Sequence, residues 1–417
     1  MKKVFFMMSL ALMAMFVISC TNDDLVENVD DIRIESPSHR LTAEQAGQNA
    51  LDFVKKFKTE TRAGQSGLKI SDIKAVGINP ERTRSTNESI DFDSLFYVVN
   101  FADNQGFVIA AADDRDESVF AYVEEGEYNE EDTLNNGFNV FMDALYSLQT
   151  SRGIQRFDTQ EDFIYFDPNE GGDSSHPDKF EVMLPLLVTN WGQRTYNTYC
   201  PSNTPTGCVP TAISQICSYL KVPQHVSWSQ NGTSGQSSID WDRIINECSN
   251  YSFGNVYSPD LKNQIAHLMR FWGVTVNAVY DSDGTSAESD FAISKMIELG
   301  FNATTLAAYD ATTLKNALKE GNKIVYMRGN GDYYHTWFVK RNYTDGHAWV
   351  VDGYIHSIKN SRESIYLHCN WGWGGQNGYF LSDVLNADEN PIYDDNGNLY
   401  TRGANFRYRL KMSIISK

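Results

Sequence analysis

Four residues of this chain are of types that could together carry out acyl transfer: Cys208, His347, Asn370 and Gln193. Cys208 lies in Thr206-Gly207-Cys208-Val209-Pro210-Thr211, and Val209, Ile213, Ile216 and Leu220 keep helical spacing. Pro210 suits a first helical turn, where its missing N–H costs nothing. The pattern predicts a helix with the Cys208 sulfur at its N-terminus, where peptide dipoles and free N–H groups favour the nucleophilic thiolate. The competing reading is a buried cysteine that caps a core helix.

A thiolate needs a base, the base needs an orienter, and the oxyanion formed at an attacked carbonyl needs donors. His347, in Gly346-His347-Ala348, heads the apolar run Trp349-Val350-Val351, which reads as a buried strand. Its small neighbours leave the ring reachable. His335 is a rival base, whereas His267 shares an amphipathic helix with Ile265, Leu268 and Phe271 and reads as core. Residues 364–370 alternate, with Ile365, Leu367 and Cys369 on one face and Tyr366, His368 and Asn370 on the other. The Asn370 amide oxygen could accept from the imidazole N–H, with Trp371 and Trp373 shielding that bond from water. The Gln193 side chain and the Cys208 N–H are the expected oxyanion donors. No His/Cys cluster has zinc-site spacing, and this chemistry needs neither metal nor cofactor.

A core large enough to hold such a site is within reach: the chain has 417 residues, 41% of them hydrophobic, enough for two domains or more. A net charge of -19 argues against a nucleic-acid partner and fits an exported protein. Met1-Lys2-Lys3 and the apolar run from Val4 to Ile18 read as a secretory signal, too short for a comfortable membrane span. It ends at Val17-Ile18-Ser19-Cys20, which resembles the bacterial lipobox, so residues 1–20 read as a lipoprotein signal peptide with Cys20 bearing the lipid. The expected location is the bacterial outer membrane or cell surface, held by that lipid alone unless processing releases the chain.

Thr42 reads as the cap of a helix with Ala46, Ala50, Phe53 and Val54 on one face. Residues 94–101 and 106–111 read as strands around a turn at Asp103-Asn104-Gln105, residues 119–123 as a third strand, and 138–148 as a helix. Residues 160–180, rich in Gly, Ser, Asp and Pro, read as a linker and processing region. Cys217 and Cys369 read as core thiols, and no disulfide is assigned among the cysteines.

Phe96-Tyr97-Val98-Val99-Asn100-Phe101, Gly106-Phe107-Val108-Ile109 and Ala111-Ala112-Asp113-Asp114-Arg115 resemble the propeptide of the streptopain family of bacterial cysteine peptidases. Gly207-Cys208-Val209, Gly346-His347-Ala348 and Asn370-Trp371-Gly372-Trp373-Gly374-Gly375 resemble the three signature blocks of streptopain and the interpains. Pro210 departs from the pattern, where alanine is expected. The order of parts is that of papain, and His347 follows Cys208 by about 140 residues, as in papain-like enzymes. The resemblance implies an α+β chain: a papain-like two-lobe cysteine peptidase domain at 181–417, preceded by a small α+β propeptide domain at 21–165 and a linker at 166–180. It implies a latent, secreted cysteine endopeptidase acting on proteins or peptides, with its own propeptide as inhibitor. Cys208 would be nucleophile, His347 base and acid, Asn370 orienter and Gln193 oxyanion donor. Ser286, the backbone of Gly346, Trp371 and Trp373 would line the cleft. The alternative on the same fold is a catalytically inactive surface adhesin or binding protein; a transferase, with an amine in place of water, is a third reading.

Overall fold

The computed structural model describes residues 39–63, 67–77, 94–129, 136–158, 178–250, 253–281, 284–330, 332–335, 341–344, 346–385 and 408–416. His39–Lys417 form one compact unit. Cys20 and residues 166–177 of the expected linker lie outside the described residues.

The N-terminal half runs α1 (Ala43–Glu60), β1 (Ile70–Val76), β2 (Phe96–Phe101), β3 (Phe107–Ala111), β4 (Val119–Val123) and α2 (Asn136–Asp158). A capping box starts α1: the Thr42 hydroxyl accepts from the Gln45 N–H, and the Gln45 side chain accepts from the Thr42 N–H. Ala46, Ala50, Phe53, Val54 and Phe57 then turn inward. Every residue of β2, β3 and β4 is buried, which in an antiparallel meander requires cover on both faces. Phe53 and Phe57 of α1 pack on Tyr122, while Phe138 of α2 packs on Phe107, whose side chain faces the other way.

The C-terminal half begins with β5 (Lys179–Met183), α3 (Cys208–Leu220), the hairpin β6 (His225–Gln230) and β7 (Thr233–Ser238), α4 (Trp241–Asn250) and α5 (Pro259–Thr275). The hairpin β8 (Val279–Asp281) and β9 (Gly284–Ser286), α6 (Ser289–Glu298), β10 (Asn302–Ala303), β11 (Ala307–Ala308) and α7 (Ala311–Lys319) follow. Then come β12 (Lys323–Asn330), β13 (Asp332–His335), β14 (Arg341–Thr344), β15 (His347–Lys359), β16 (Arg362–Asn370), β17 (Gly378–Leu381), α8 (Ser382–Leu385) and β18 (Tyr408–Ser416). The fold class is α+β, as expected.

Twelve of the described strands form one sheet, in the order β1-β2-β3-β4-β17-β16-β15-β12-β18-β10, with β5 on β15 and β11 on β18. The N-terminal strands therefore continue the sheet of the C-terminal half, which the sequence does not announce. β4 pairs with β17, Val123 opposite Gly378 and Ala121 opposite Phe380. A fully apolar β4 left as an edge would be a template for aggregation; β17 satisfies it. The alternation in β16 is present, yet both faces are buried from Ser364 to Asn370. Tyr366 lies under Phe53 of α1, with ring centroids 5.2 Å apart.

The sheet divides two cores. One joins α1, α2 and β2 to β4 with Trp371 and Phe380, and the other lies under α3, α4, α5 and α6 with Tyr326 and Val350. β15 is central: it places His347 opposite Gly329 of β12, and Val350 opposite Asn370 of β16. The β15–β16 register shifts at Asp352, and that carboxylate lies 2.6 Å from His368 Nδ1 while accepting from the Leu187 N–H at 2.8 Å.

Phe141 of α2 is fully buried with its ring 4.8 Å from that of Phe380, so it ties the N-terminal half to β17. Phe141→Ala in a Cys208→Ala background should cost about 3–5 kcal/mol and lower the urea midpoint of the full chain. An unchanged midpoint would show that this contact does not hold the two halves together.

Candidate active site

Gly207 precedes α3 with φ +92, a region closed to most other residues, and the Thr285 side chain lies 2.9 Å from where a Cβ would stand. Glycine thus permits the sharp entry that leaves Cys208 at the first position of the helix. Cys208 heads α3, where free N–H groups favour the thiolate. Burial is the larger effect and raises the thiol above its ordinary pKa. The helix terminus alone predicts a depressed value; here loss of water outweighs the dipoles.

The His347 ring is buried, with Nε2 2.9 Å from the Trp371 carbonyl oxygen. A carbonyl only accepts, so Nε2 carries the proton. Burial pushes the imidazole pKa down to about 4, and the bond to Trp371 offsets this only in part. At neutral pH Cys208 is therefore a thiol and His347 a neutral imidazole. The cover comes from the N-terminal half. At Gly137 of α2 a Cβ would stand 2.5 Å from Trp371 Cε3 and 3.1 Å from His347 Cδ2, so the α2 backbone lies directly on both rings.

The Asn370 amide is next to this site but committed elsewhere. Its Oδ1 accepts from Gln215 Nε2 at 2.9 Å and from the Gly372 N–H at 3.2 Å. Its Nδ2 donates to the Thr189 carbonyl at 2.9 Å and to Gln215 Oε1 at 3.2 Å. Both lone pairs and both protons are used. In this structure the His347 bond expected of Asn370 goes to the main chain of the following residue instead.

Gln215 is the residue that sequence reasoning missed. It is fully buried on α3, and its Oε1 also accepts from the Trp191 N–H at 2.9 Å. A polar side chain two turns beyond the nucleophile, among Ile213, Ile216 and Cys217, was the available signal. Gln193 is buried, its carbonyl accepting from the Thr206 N–H at 2.9 Å, and Gly192 bridges to Trp373 across an antiparallel pair. The three blocks of sequence are thus brought together. Ser286 and Gly346 are exposed, Trp373 is half-buried, and Trp371 is fully buried beneath α2. The side chain of His335 lies outside the described residues. Cys217 and Cys369 are buried core thiols, and burial raises both well above the ordinary value; it raises the Cys200 thiol to about 11. Among the described residues, no group of His, Cys, Asp and Glu is disposed to hold a metal.

Residues 191–380, which contain Gln193, Cys208, His347 and Asn370, match the peptidase C10 family. Residues 38–147 match the Spi protease inhibitor family, so the C10 segment shares its sheet with an inhibitor-type domain. The thiol protease/hemagglutinin PrtT of Porphyromonas gingivalis is 24% identical over 336 residues, 70% of this chain; the chain spans only 34% of that relative. Streptopain of Streptococcus pyogenes is 22% identical over 375 residues, 82% of this chain and 85% of its own length. A fragment of prointerpain A from Prevotella intermedia shares the fold, with a TM-score of 0.50 and 21% identity over 82% of this chain and 98% of that one.

The burial of His347 in this C10 site has a sign that can be tested. Its depressed value means that the covered form holds the neutral ring and an opened form takes the proton. Acid therefore weakens the covered form as pH falls from the ordinary imidazole value of about 6.5 through the depressed one. In the Cys208→Ala chain, the His347 ring followed by NMR should titrate near 4. Gly137→Leu, which must displace α2 or Trp371, should raise that midpoint by about one unit or more toward the ordinary value. A His347 midpoint near 6.5 in the covered chain would contradict the burial argument.

Proposed function

We propose that this chain is the latent precursor of a cysteine endopeptidase, inhibited by its own N-terminal domain. The observation that carries the reading is the pair of hydrogen bonds between Gln215 of α3 and Asn370 of β16, at 2.9 and 3.2 Å. They fix the helix headed by the candidate nucleophile to the strand end whose next residue, Trp371, accepts from the candidate base at 2.9 Å. The match of residues 191–380 to the C10 family and the thiol protease relatives support the same reading.

In the open enzyme the Cys208 thiolate attacks the scissile carbonyl carbon, with His347 as its ion-pair partner. The oxyanion that forms is met by the Cys208 N–H and the Gln193 amide. Collapse gives a thioester, and His347 passes its proton to the leaving amine. His347 then takes a proton from water, which hydrolyses the thioester and restores the thiolate. Asn370 acts through the loop it anchors, and Ser286, Gly346, Trp371 and Trp373 face the substrate once α2 has left. The covered form is latent because its thiol and neutral imidazole cannot start this sequence. Conversion proceeds by cleavage between residues 160 and 180, and the precursor is tethered outside the cytoplasm by lipid on Cys20. The lipobox-like Val17-Ile18-Ser19-Cys20 supports the tether.

The test is incubation of the full chain with a peptide library under reducing conditions. Wild type should shorten and cleave peptides, whereas Cys208→Ala and His347→Ala should do neither. Asn370→Ala should lose less than His347→Ala, at or below the roughly 10²–10⁴-fold of a general-base contribution. A Cys208→Ala chain that still cleaves peptides would end the assignment. So would an intact, uncleaved wild-type chain working at the rate of the shortened one.

A further inference from the structure

We propose that Thr211 is a positioning residue for the reaction, one that aims the oxyanion donors. The inference rests on the peptidase reading above. Thr211 lies in the first turn of α3 and is completely buried. Its hydroxyl donates to the Gly207 carbonyl at 2.8 Å and lies 2.7 Å from the Thr206 hydroxyl. Thr206, equally buried, places its N–H 2.9 Å and its hydroxyl 3.2 Å from the Gln193 carbonyl. Two hydroxyl protons are thus spread over three short contacts that run from Gln193 through Thr206 and Thr211 to Gly207. The Thr211 methyl faces the other way, 3.2 Å from where a Cβ on Gly372 would stand. One side chain therefore touches the nucleophile's entry peptide and the loop after Asn370, and reaches the Gln193 segment through one further hydroxyl.

Threonines on helices often bond back to the carbonyl four residues earlier. Here that carbonyl belongs to the peptide unit whose other end is the Cys208 N–H. In a planar trans peptide the C=O and N–H point in opposite directions. Fixing the Gly207 oxygen into the helix thus fixes the Cys208 N–H toward the opposite side. The Thr206 arm holds the backbone from which the Gln193 amide extends. Valine would fill the same volume as Thr211 and keep the main-chain N–H, 3.1 Å from the Gly207 oxygen, but lose the second, shorter bond to it and the link to Thr206. An ångström of misplacement at such donors is enough to slow a reaction strongly.

The experiment compares full chains of wild type, Thr211→Val and Thr211→Ser under reducing conditions. It reads kcat and KM on a fluorogenic peptide amide and, in the same samples, iodoacetamide labelling of Cys208. Thr211→Val should lower kcat roughly 10–100-fold, short of the 10²–10³-fold for deleting a donor outright, with KM and labelling little changed. Thr211→Ser, which keeps the hydroxyl, should restore most of kcat. Should Thr211→Val fail to fold, Thr206→Val carries the same expectation at about tenfold, because its N–H still holds Gln193. Wild-type kcat in the valine variant, an equal loss in the serine variant, or labelling that falls in step with kcat overturns the positioning role. A wild-type chain that labels at Cys208 but never turns over peptide overturns the peptidase reading, and the role of Thr211 with it.

Discussion

The pairing of β4 with β17 is the contact on which the rest of this structure depends. It joins an inhibitor-type domain to a C10 peptidase segment by main-chain hydrogen bonds, with Val123 opposite Gly378 and Ala121 opposite Phe380. Once that ladder forms, α1 and α2 are carried onto the two faces of the peptidase strands. Phe57 meets Tyr379, and Phe141 meets Phe380. The start of α2 then falls on Trp371 and His347. Inhibition is therefore a by-product of core formation: the surface that inhibits is the surface that folds.

Burial, more than charge pairing, sets the state of the candidate catalytic groups. The start of α3 favours a Cys208 thiolate, and the Trp371 carbonyl favours a protonated His347, yet desolvation overrides both. The same low-dielectric setting that keeps the pair neutral would make its ion pair strong once the base is free to meet the sulfur. Elsewhere at the join, buried His368 keeps a carboxylate on either side, Asp352 at 2.6 Å and Glu124 of the N-terminal half at 3.9 Å. The two carboxylates hold its pKa above the ordinary value despite burial. One peptidase side chain thus bridges to the inhibitor domain while another lies beneath it.

Much of this fold is legible in the sequence. Thr42 and the spacing of Ala46, Ala50, Phe53 and Val54 place α1, and the strands at 96–101, 107–111 and 119–123 follow from β-branched and aromatic runs between turns. Cys208 at a helix start and His347 at a strand start are readable because local pattern determines both. Pairing over long range is not. Nothing in Val119–Val123 says that its neighbour is Gly378–Leu381, and nothing in β16 says that Tyr366 lies under a helix from the other half. The partner of Asn370 differs from the expected one for a related reason: side-chain amides are promiscuous, and Gln215 competes for it from a helix 155 residues earlier. A helix N-terminus is a local feature that points to a low Cys208 pKa, while the burial that raises it is a property of the whole assembly.

The claim that the N-terminal domain is built into the peptidase sheet is tested most directly by amide hydrogen exchange of the intact Cys208→Ala chain. The paired amides of β17 should exchange as slowly as those of central β15 and β16, and should share their protection with β4. Rapid exchange in β17 and β4 beside a protected β15 and β16 would mean that the two halves do not share a sheet, and latency could not then arise from α2 being carried onto His347 by that pairing.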